Sequence, residues 1–287
     1  MKTPATDYTR DPAAFSGPGP VMAIGGAEDK LKEKDILTAF WQLAGGRKAK
    51  IVVIPTASSL EDAGERYKAI FLGMGAKRAD VIFLNDREDA NQSASVTPIK
   101  GATGIFLTGG NQMRLAAVVA GTKVQQAVLD RHAAGAVVAG TSAGASVLSA
   151  HMVAYGSGGP VPKLRMAQLA AGFGLLNGVV IDQHFRERDR FGRLLTLVAT
   201  SPSLLGIGVD EDTCALVWPD GIMDVLGRHS VTIVDGSRIT SDVHRVKGHA
   251  EIAISNAIVH IVTPGRRFDT RNRTMIWPKA KPTSPTA

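Results

Sequence analysis

The sequence predicts an α/β fold built on a doubly wound, mostly parallel sheet, with additional antiparallel strands in its C-terminal part. Two observations predict it. From Val21 to about Gly206, short continuous runs of branched apolar residues alternate with helix-length patterns. Strands that are apolar without interruption are covered on both faces, and helical crossovers between them make neighbouring strands parallel. After Gly206 the segments shorten and turn signals such as Pro219-Asp220-Gly221 intervene, the pattern of antiparallel pairing.

Taken in order, residues 1–20 are rich in proline and glycine, lack periodicity and read as a flexible leader. The first strand is Val21–Ile24, followed by a helix over 28–43, a strand over 51–54, a helix over 61–74 and a strand over 81–84. A strand over 104–107, helices after Gln112 and over 124–134, and a strand over 136–139 continue the alternation. A short helix of small residues follows Ser142, then a strand over 179–181, a helix over 185–198 and a strand from Gly206. Segments 214–217 and 223–226 read as antiparallel strands that extend or flank the sheet. No composition break, low-complexity linker or fixed repeat divides 21–275, so one catalytic domain is expected there, with a disordered basic tail at 276–287.

Composition narrows the function. Hydrophobic residues make up 44% and charged residues 21%, and no apolar run reaches bilayer length, so neither a disordered chain nor a membrane span is expected. Most of the net charge of +7 lies beyond Pro264, where six lysines and arginines face Asp269 alone. A near-neutral body with a basic end, and three tyrosines and three tryptophans for stacking, argue against a nucleic-acid partner. The single cysteine, Cys214, reads as a small core residue, and residues 1–20 lack the apolar stretch of a secretory signal; the expected compartment is the cytoplasm. No His-Glu-x-x-His, Cys/His cluster or complete phosphate-loop lysine occurs, so neither a metal hydrolase nor a phosphate-loop protein is expected.

In open α/β sheets ligands bind beyond the carboxyl ends of the strands. Four segments there are unusual: 25–28 (Gly-Gly-Ala-Glu), 108–112 (Thr-Gly-Gly-Asn-Gln), 140–144 (Gly-Thr-Ser-Ala-Gly) and 182–184 (Asp-Gln-His). The third fits Gly-x-Ser-x-Gly between a strand and a helix, the context of a nucleophile elbow, with Ser142 as nucleophile and the Ala143 N–H at a helix start able to stabilise an oxyanion. Of seven histidines, His184 follows an apolar run and is expected at the same sheet edge as Ser142, which makes it the candidate base. The helix over 185–198 would put Arg186, Arg190 and Arg193 on one face; ion pairs with Glu187 and Asp189 on a solvated surface and recognition of a substrate carboxylate are both open for them. The partner carboxylate lies among Asp210, Glu211 and Asp212, between which spacing does not decide. The order Ser, His, acid differs from that of α/β-hydrolases.

These segments, in order over 21–217, resemble the cyanophycinases, within the serine peptidase family that also includes aspartyl dipeptidase. The motifs are 24–30 (Ile-Gly-Gly-Ala-Glu-Asp-Lys), 54–58 (Ile-Pro-Thr-Ala-Ser), 108–112, 140–146, 182–185 with Arg188, Arg190 and Arg193, and 206–211. The resemblance implies a class I glutamine-amidotransferase-like fold, a Ser142–His184–Glu211 triad acting through an acyl-enzyme, and an oxyanion hole of backbone N–H groups near Gly110 and Ala143. It implies an exopeptidase that splits cyanophycin, a polyaspartate carrying arginine on each β-carboxyl, into β-Asp-Arg dipeptides without metal or cofactor. Gln183, Arg188, Arg190 and Arg193 would line the dipeptide pocket, with Asn111 and Asp182 nearby. The family usually has aspartate where this chain has Asn111, which leaves a peptidase for another aspartyl or isoaspartyl peptide as the alternative; a peptide- or carboxylate-binding module without turnover is the non-enzymatic one. Helix faces in such folds pair, so a homodimer is also expected.

Overall fold

The computed structural model describes Arg10 and residues 15–278. The remaining residues of the expected leader, and residues 279–287 of the expected tail, lie outside this range. In chain order the elements are β1 (Val21–Ile24), α1 (Asp35–Leu43), β2 (Lys50–Ile54), α2 (Ala63–Gly73), β3 (Arg78–Val81), α3 (Ser93–Lys100), β4 (Gly104–Leu107), α4 (Gln112–Val119), α5 (Lys123–Ala133), β5 (Val137–Thr141) and α6 (Ala143–Ser146). There follow β6 (His151–Gly156), β7 (Ala167–Ala171), β8 (Val179–Gln183), α7 (Phe191–Thr200), β9 (Leu205–Val209), β10 (Thr213–Val217), β11 (Ile222–Gly227) and β12 (Val231–Asp235). The last are β13 (Thr240–Ser241), β14 (Ile254–Ser255), β15 (Ile258–Val262), β16 (Arg267–Asp269) and β17 (Thr274–Ile276).

A nine-stranded sheet runs in the order β17-β16-β11-β10-β1-β5-β4-β2-β3. Its half from β1 to β3 is parallel, and from β10 outward each strand is antiparallel to its neighbour. Side chains alternate across a strand, and here they sort into two apolar layers. Met22, Ile24, Ile51, Val53, Phe106 and Ala139 pack with α1 and α2, where Phe40, Tyr67 and Phe71 gather around Phe106. Val21, Ala23, Val52, Ile54, Ile105 and Val138 face the other way, onto Leu115, Val119, Val124 and Val128 of α4 and α5.

One expectation fails at the level of sheets. β8 and β9 do not join the parallel half; with β12 and β15 they form a separate four-stranded sheet, β15-β12-β9-β8. Ile181, Ile207, Val209 and Ile233 turn inward to the core shared with Ala215 and Val225, while Val180 and Val234 face outward under Leu194, Leu197 and Val198 of α7. Burial on both sides gives β8 and β9 the same continuous apolar sequence as a central strand, so composition does not separate the two placements. The chain passes from this sheet to the larger one at the turn between β9 and β10, which carries residues 210–212.

The helix expected over 28–43 begins only at Asp35, because the Asp29 carboxylate accepts the N–H groups of Leu31, Lys32, Glu33 and Lys34 and holds them in turns. β16 and β17 pair through Arg267 and Ile276. Of the expected leader, Phe15 stacks on Trp218 with ring centroids 5.4 Å apart, and the Arg10 guanidinium pairs with Asp220. Among the described residues no helix is long and apolar enough to cross a membrane.

Candidate active site

β5 is buried throughout and ends at Thr141; the next residue, Ser142, has φ 52 and ψ −113, and α6 starts immediately after it. A non-glycine residue in this region is strained, and the strain holds a side chain clear of the turn. Gly144 lets the helix rest on β4, since a β-carbon there would lie 2.8 Å from the Leu107 carbonyl carbon. Across the gap Gly109 faces the nucleophile, with space for a β-carbon only 3.2 Å from Ser142 Cβ.

His184 follows β8, and so belongs to the edge of the smaller sheet rather than to that of Ser142. The two edges converge on β1: Ser142 N–H donates to the Ile24 carbonyl at 2.9 Å, and His184 N–H donates to the Gly25 carbonyl at 2.8 Å. Ser142 Oγ then lies 2.8 Å from His184 Nε2, and His184 Nδ1 lies 2.6 Å from Glu211 Oε1. A carboxylate only accepts hydrogen bonds, so Nδ1 carries the proton and Nε2 offers its lone pair to the serine hydroxyl. Burial, the largest influence, draws the imidazole below its ordinary pKa, helped by the charges of Arg188 and Arg190 and opposed by Glu211. The ring is therefore neutral at pH 7 and able to take a proton.

Of the three acids after β9, Glu211 is the one that reaches the imidazole. Asp210 is buried and accepts from Arg186 N–H at 3.2 Å and from Ser230 N–H and Oγ at 3.2 and 3.0 Å. Asp212 accepts from Asp29 N–H at 2.9 Å. Neither Gly110 N–H nor Ala143 N–H donates to another described residue, and these are the two groups expected to receive an oxyanion.

The expected substrate residues divide. The helix foreseen from Phe185 starts at Phe191, because His184 and Asp189 adopt left-handed backbone with φ 46 and 47. Arg186, Arg190 and Arg193 therefore do not share a face. Arg186 is exposed and pairs with Glu187 at 3.2 Å. Arg193 is buried and grips Asp182 with two nitrogens, Nε at 2.8 Å and Nη2, while Nη1 donates to the Gly156 carbonyl at 2.9 Å. Asp182 is thus engaged by Arg193, and Arg190 Nη1 also lies 3.4 Å from its Oδ1. Arg190, buried as well, donates through Nη1 to the Gln183 carbonyl and, at 3.1 Å, to Gln183 Oε1, which lies 3.5 Å from Ser142 Oγ. Its burial and the nearby Arg188 and Arg193 bring its pKa down to about 10, so it stays cationic at neutral pH. Arg188 is exposed and has no side-chain partner among the described residues. Asn111 caps α4, its Oδ1 accepting from Met113 N–H at 2.9 Å and Arg114 N–H at 3.1 Å. Asparagine and aspartate serve equally at that position, which gives Asn111 a structural use apart from any substrate.

The segment 25–28, which follows β1, contributes a buried acid. Glu28 is buried beside the elbow, where its Oε2 accepts from Thr141 Oγ1 at 2.6 Å, its Oε1 accepts from the Tyr67 hydroxyl, and Lys30 Nζ lies 3.0 Å away. A carboxylate directly beyond an apolar strand was the available signal. Cys214 is buried, and its thiol is raised well above the ordinary range by burial and by Glu28, as suits a core residue. Among the described residues no group of three or more histidine, cysteine or acidic side chains is placed to hold a metal ion.

The sequence model of peptidase family S51 matches residues 21–225. The cyanophycinase of Nostoc sp. is 42% identical over 260 residues, covering 89% of this chain and 87% of that protein. The cyanophycinase of Trichormus variabilis has the same identity and coverage, and that of Geminocystis herdmanii is 41% identical over 254 residues, covering 88% of this chain and 93% of that protein. Among solved structures, a peptidase from an acI-B1 Actinobacterium superposes with a TM-score of 0.66 at 23% identity, covering 88% of this chain and 97% of that one; the likeness is one of fold.

Proposed function

The chain belongs to peptidase family S51, and from that premise we propose that it is a serine exopeptidase that hydrolyses cyanophycin to β-Asp-Arg dipeptides. The observation that carries the reading is the hydrogen-bonded chain from Ser142 Oγ through His184 to Glu211, 2.8 and 2.6 Å, in a chain 41–42% identical to cyanophycinases over most of its length.

In this reading Ser142 Oγ attacks the scissile carbonyl carbon while its proton passes to His184 Nε2. Glu211 holds the ring by Nδ1–H and stabilises the imidazolium that forms. The carbonyl oxygen gains negative charge against the unpaired N–H groups of Gly110 and Ala143. As the C–N bond breaks, the imidazolium protonates the departing amine and an acyl-enzyme remains. Water, deprotonated by the now neutral His184, splits the ester and restores the serine. Nothing in these steps calls on a metal or organic cofactor.

Each substrate unit carries a carboxylate and a guanidinium. Arg188, exposed and unpartnered among the described residues, is the cation suited to the first, and the Gln183 carboxamide oxygen to the second. Arg190 fixes Gln183, and Asp182 with Arg193 fixes the floor beneath. Because Asn111 is occupied as a helix cap, its difference from the usual aspartate gives little weight to a different peptide substrate. The parallel half-sheet with its elbow after β5 supports the class I glutamine-amidotransferase-like description. The buried unpaired thiol is in keeping with a cytoplasmic site of action, and a homodimer is part of the reading, to be tested by mass in solution.

The test is incubation of the purified protein with insoluble cyanophycin, followed by mass spectrometry of the soluble fraction. β-Asp-Arg released by the wild type and not by Ser142→Ala is the expected result. Release by a folded Ser142→Ala protein would overturn the nucleophile.

A further inference from the structure

Ser142 has two flanks. On one lie Gln183, Arg188 and Arg190. On the other a pocket of about 340 Å3 opens between the elbow and α2, lined among others by Glu28, Lys30, Tyr67, Gly109, Thr141 and Ser142 itself. The mechanism above uses none of its charged groups.

Lys30 is the feature that gives this pocket a chemistry. Its ammonium lies 3.0 Å from Glu28 Oε1, donates to the Glu28 carbonyl at 3.3 Å and sits 5.3 Å from the centre of the Tyr67 ring. An ammonium has three N–H donors, and one hydrogen bond and one ion pair to the same residue leave it able to donate to a ligand. The backbone around it is held as well, since the Asp29 carboxylate accepts four successive N–H groups and Asp29 N–H donates to Asp212. A lysine on an open surface must be ordered when it binds, whereas this one is already oriented, with its side chain about one-third exposed. Glu28 cannot itself take a substrate cation: it is buried and already meets Thr141, Tyr67 and Lys30.

We propose that this pocket is a second substrate subsite in which Lys30 binds a carboxylate of the unit across the scissile bond from the one held by Arg188. The proposal rests on the cyanophycin reading. Because every unit of that polymer carries the same arginine carboxylate, both sides of the scissile bond present one, and a cation on each flank of Ser142 matches the repeat. Glu28 is then a positioning residue: it holds the Lys30 ammonium and, through Thr141, the residue preceding the nucleophile.

The test compares wild type, Lys30→Met and Lys30→Arg on a short cyanophycin oligomer and on the same oligomer with its arginine carboxylates amidated on one side of the scissile bond only, each side in turn. On the native oligomer Lys30→Met is expected to raise KM about tenfold, the scale of one charge-assisted hydrogen bond, and Lys30→Arg to recover most of it. On the oligomer amidated on the Lys30 side, wild type is expected to lose that same factor and Lys30→Met to lose no more. A purely structural role for Lys30 would leave the two losses additive. Additive losses, or unchanged KM for Lys30→Met on an oligomer that wild type hydrolyses, overturn the subsite and leave the peptidase reading in place. No hydrolysis of either oligomer by a folded wild type whose Ser142 reacts with a fluorophosphonate overturns both.

Discussion

Gly26 and His184 are in contact across the two sheets: with φ 102 at Gly26, a β-carbon there would stand 2.6 Å from His184 Nε2. The nitrogen that faces the nucleophile is therefore braced by a residue without a side chain. Gly26→Ala should push the imidazole off Ser142 Oγ, and displacements of about 1 Å in such a constellation cost on the order of 10²-fold. The expected outcome is a fall in kcat of that size in a protein that still melts cooperatively. An unchanged kcat would show that the ring has room to move.

The pH dependence follows from the same imidazole. His184 must be neutral to accept the serine proton, and burial sets its pKa below the ordinary 6.5. The acid limb of kcat/KM should therefore have its midpoint below pH 6.5, with activity present above it and lost as pH falls through it. Arg188 contributes to the lowering, so Arg188→Ala makes protonation easier and should move the limb to higher pH, besides raising KM. A limb that stays in place would remove Arg188 from the neighbourhood of the ring.

Asp182 and Arg193 should report on stability instead. Both are buried, and Arg193 grips the carboxylate with two nitrogens. Removing Arg193 leaves the buried Asp182 carboxylate with only the longer contact to Arg190 Nη1 at 3.4 Å, and breaking a buried pair costs about 3–5 kcal/mol. Arg193→Ala should lower Tm by roughly 10 °C, whereas Arg188→Ala, on an exposed residue, should leave Tm nearly unchanged. Equal Tm for the two variants would return Arg193 to the substrate pocket.

These contrasts show where the sequence was informative. The elbow was legible because strand, turn and helix are contiguous, so 136–146 contains its own evidence. The relation of His184 to Ser142 was legible only as proximity. Sheet membership depends on which strand β8 pairs with, and β9, its partner, leaves no local mark that distinguishes one sheet from another. The arginines were misplaced for a different reason. Positions i, i+4 and i+7 share a face only if the helix is continuous, and the left-handed Asp189 breaks it although it is not a glycine. Glu28 was visible as an acid after a strand, but its bonds to Thr141, Tyr67 and Lys30 join residues up to 113 positions apart.

The acid of the triad can be tested by the sign of a shift. Glu211→Gln keeps the side-chain length and an oxygen that can accept from Nδ1–H, so the ring can stay in place while the charge is lost. Turnover should fall by about 10²–10⁴-fold, since the imidazolium formed in the reaction is no longer stabilised and the amide can instead turn its N–H toward Nδ1, which places the ring proton on Nε2 and blocks acceptance. The hydrogen bond to Glu211 and the charge of Glu211 both raise the His184 pKa. Loss of the charge should carry the acid limb of kcat/KM further down, opposite to the movement expected of Arg188→Ala. Asp210→Asn separates this from a general disturbance of the turn: Asp210 meets Arg186 N–H and Ser230, not the ring, so its substitution should lower Tm with little effect on the limb. If Glu211→Gln left turnover within twofold of wild type, or moved the limb upward, Glu211 would not be the group that orients His184.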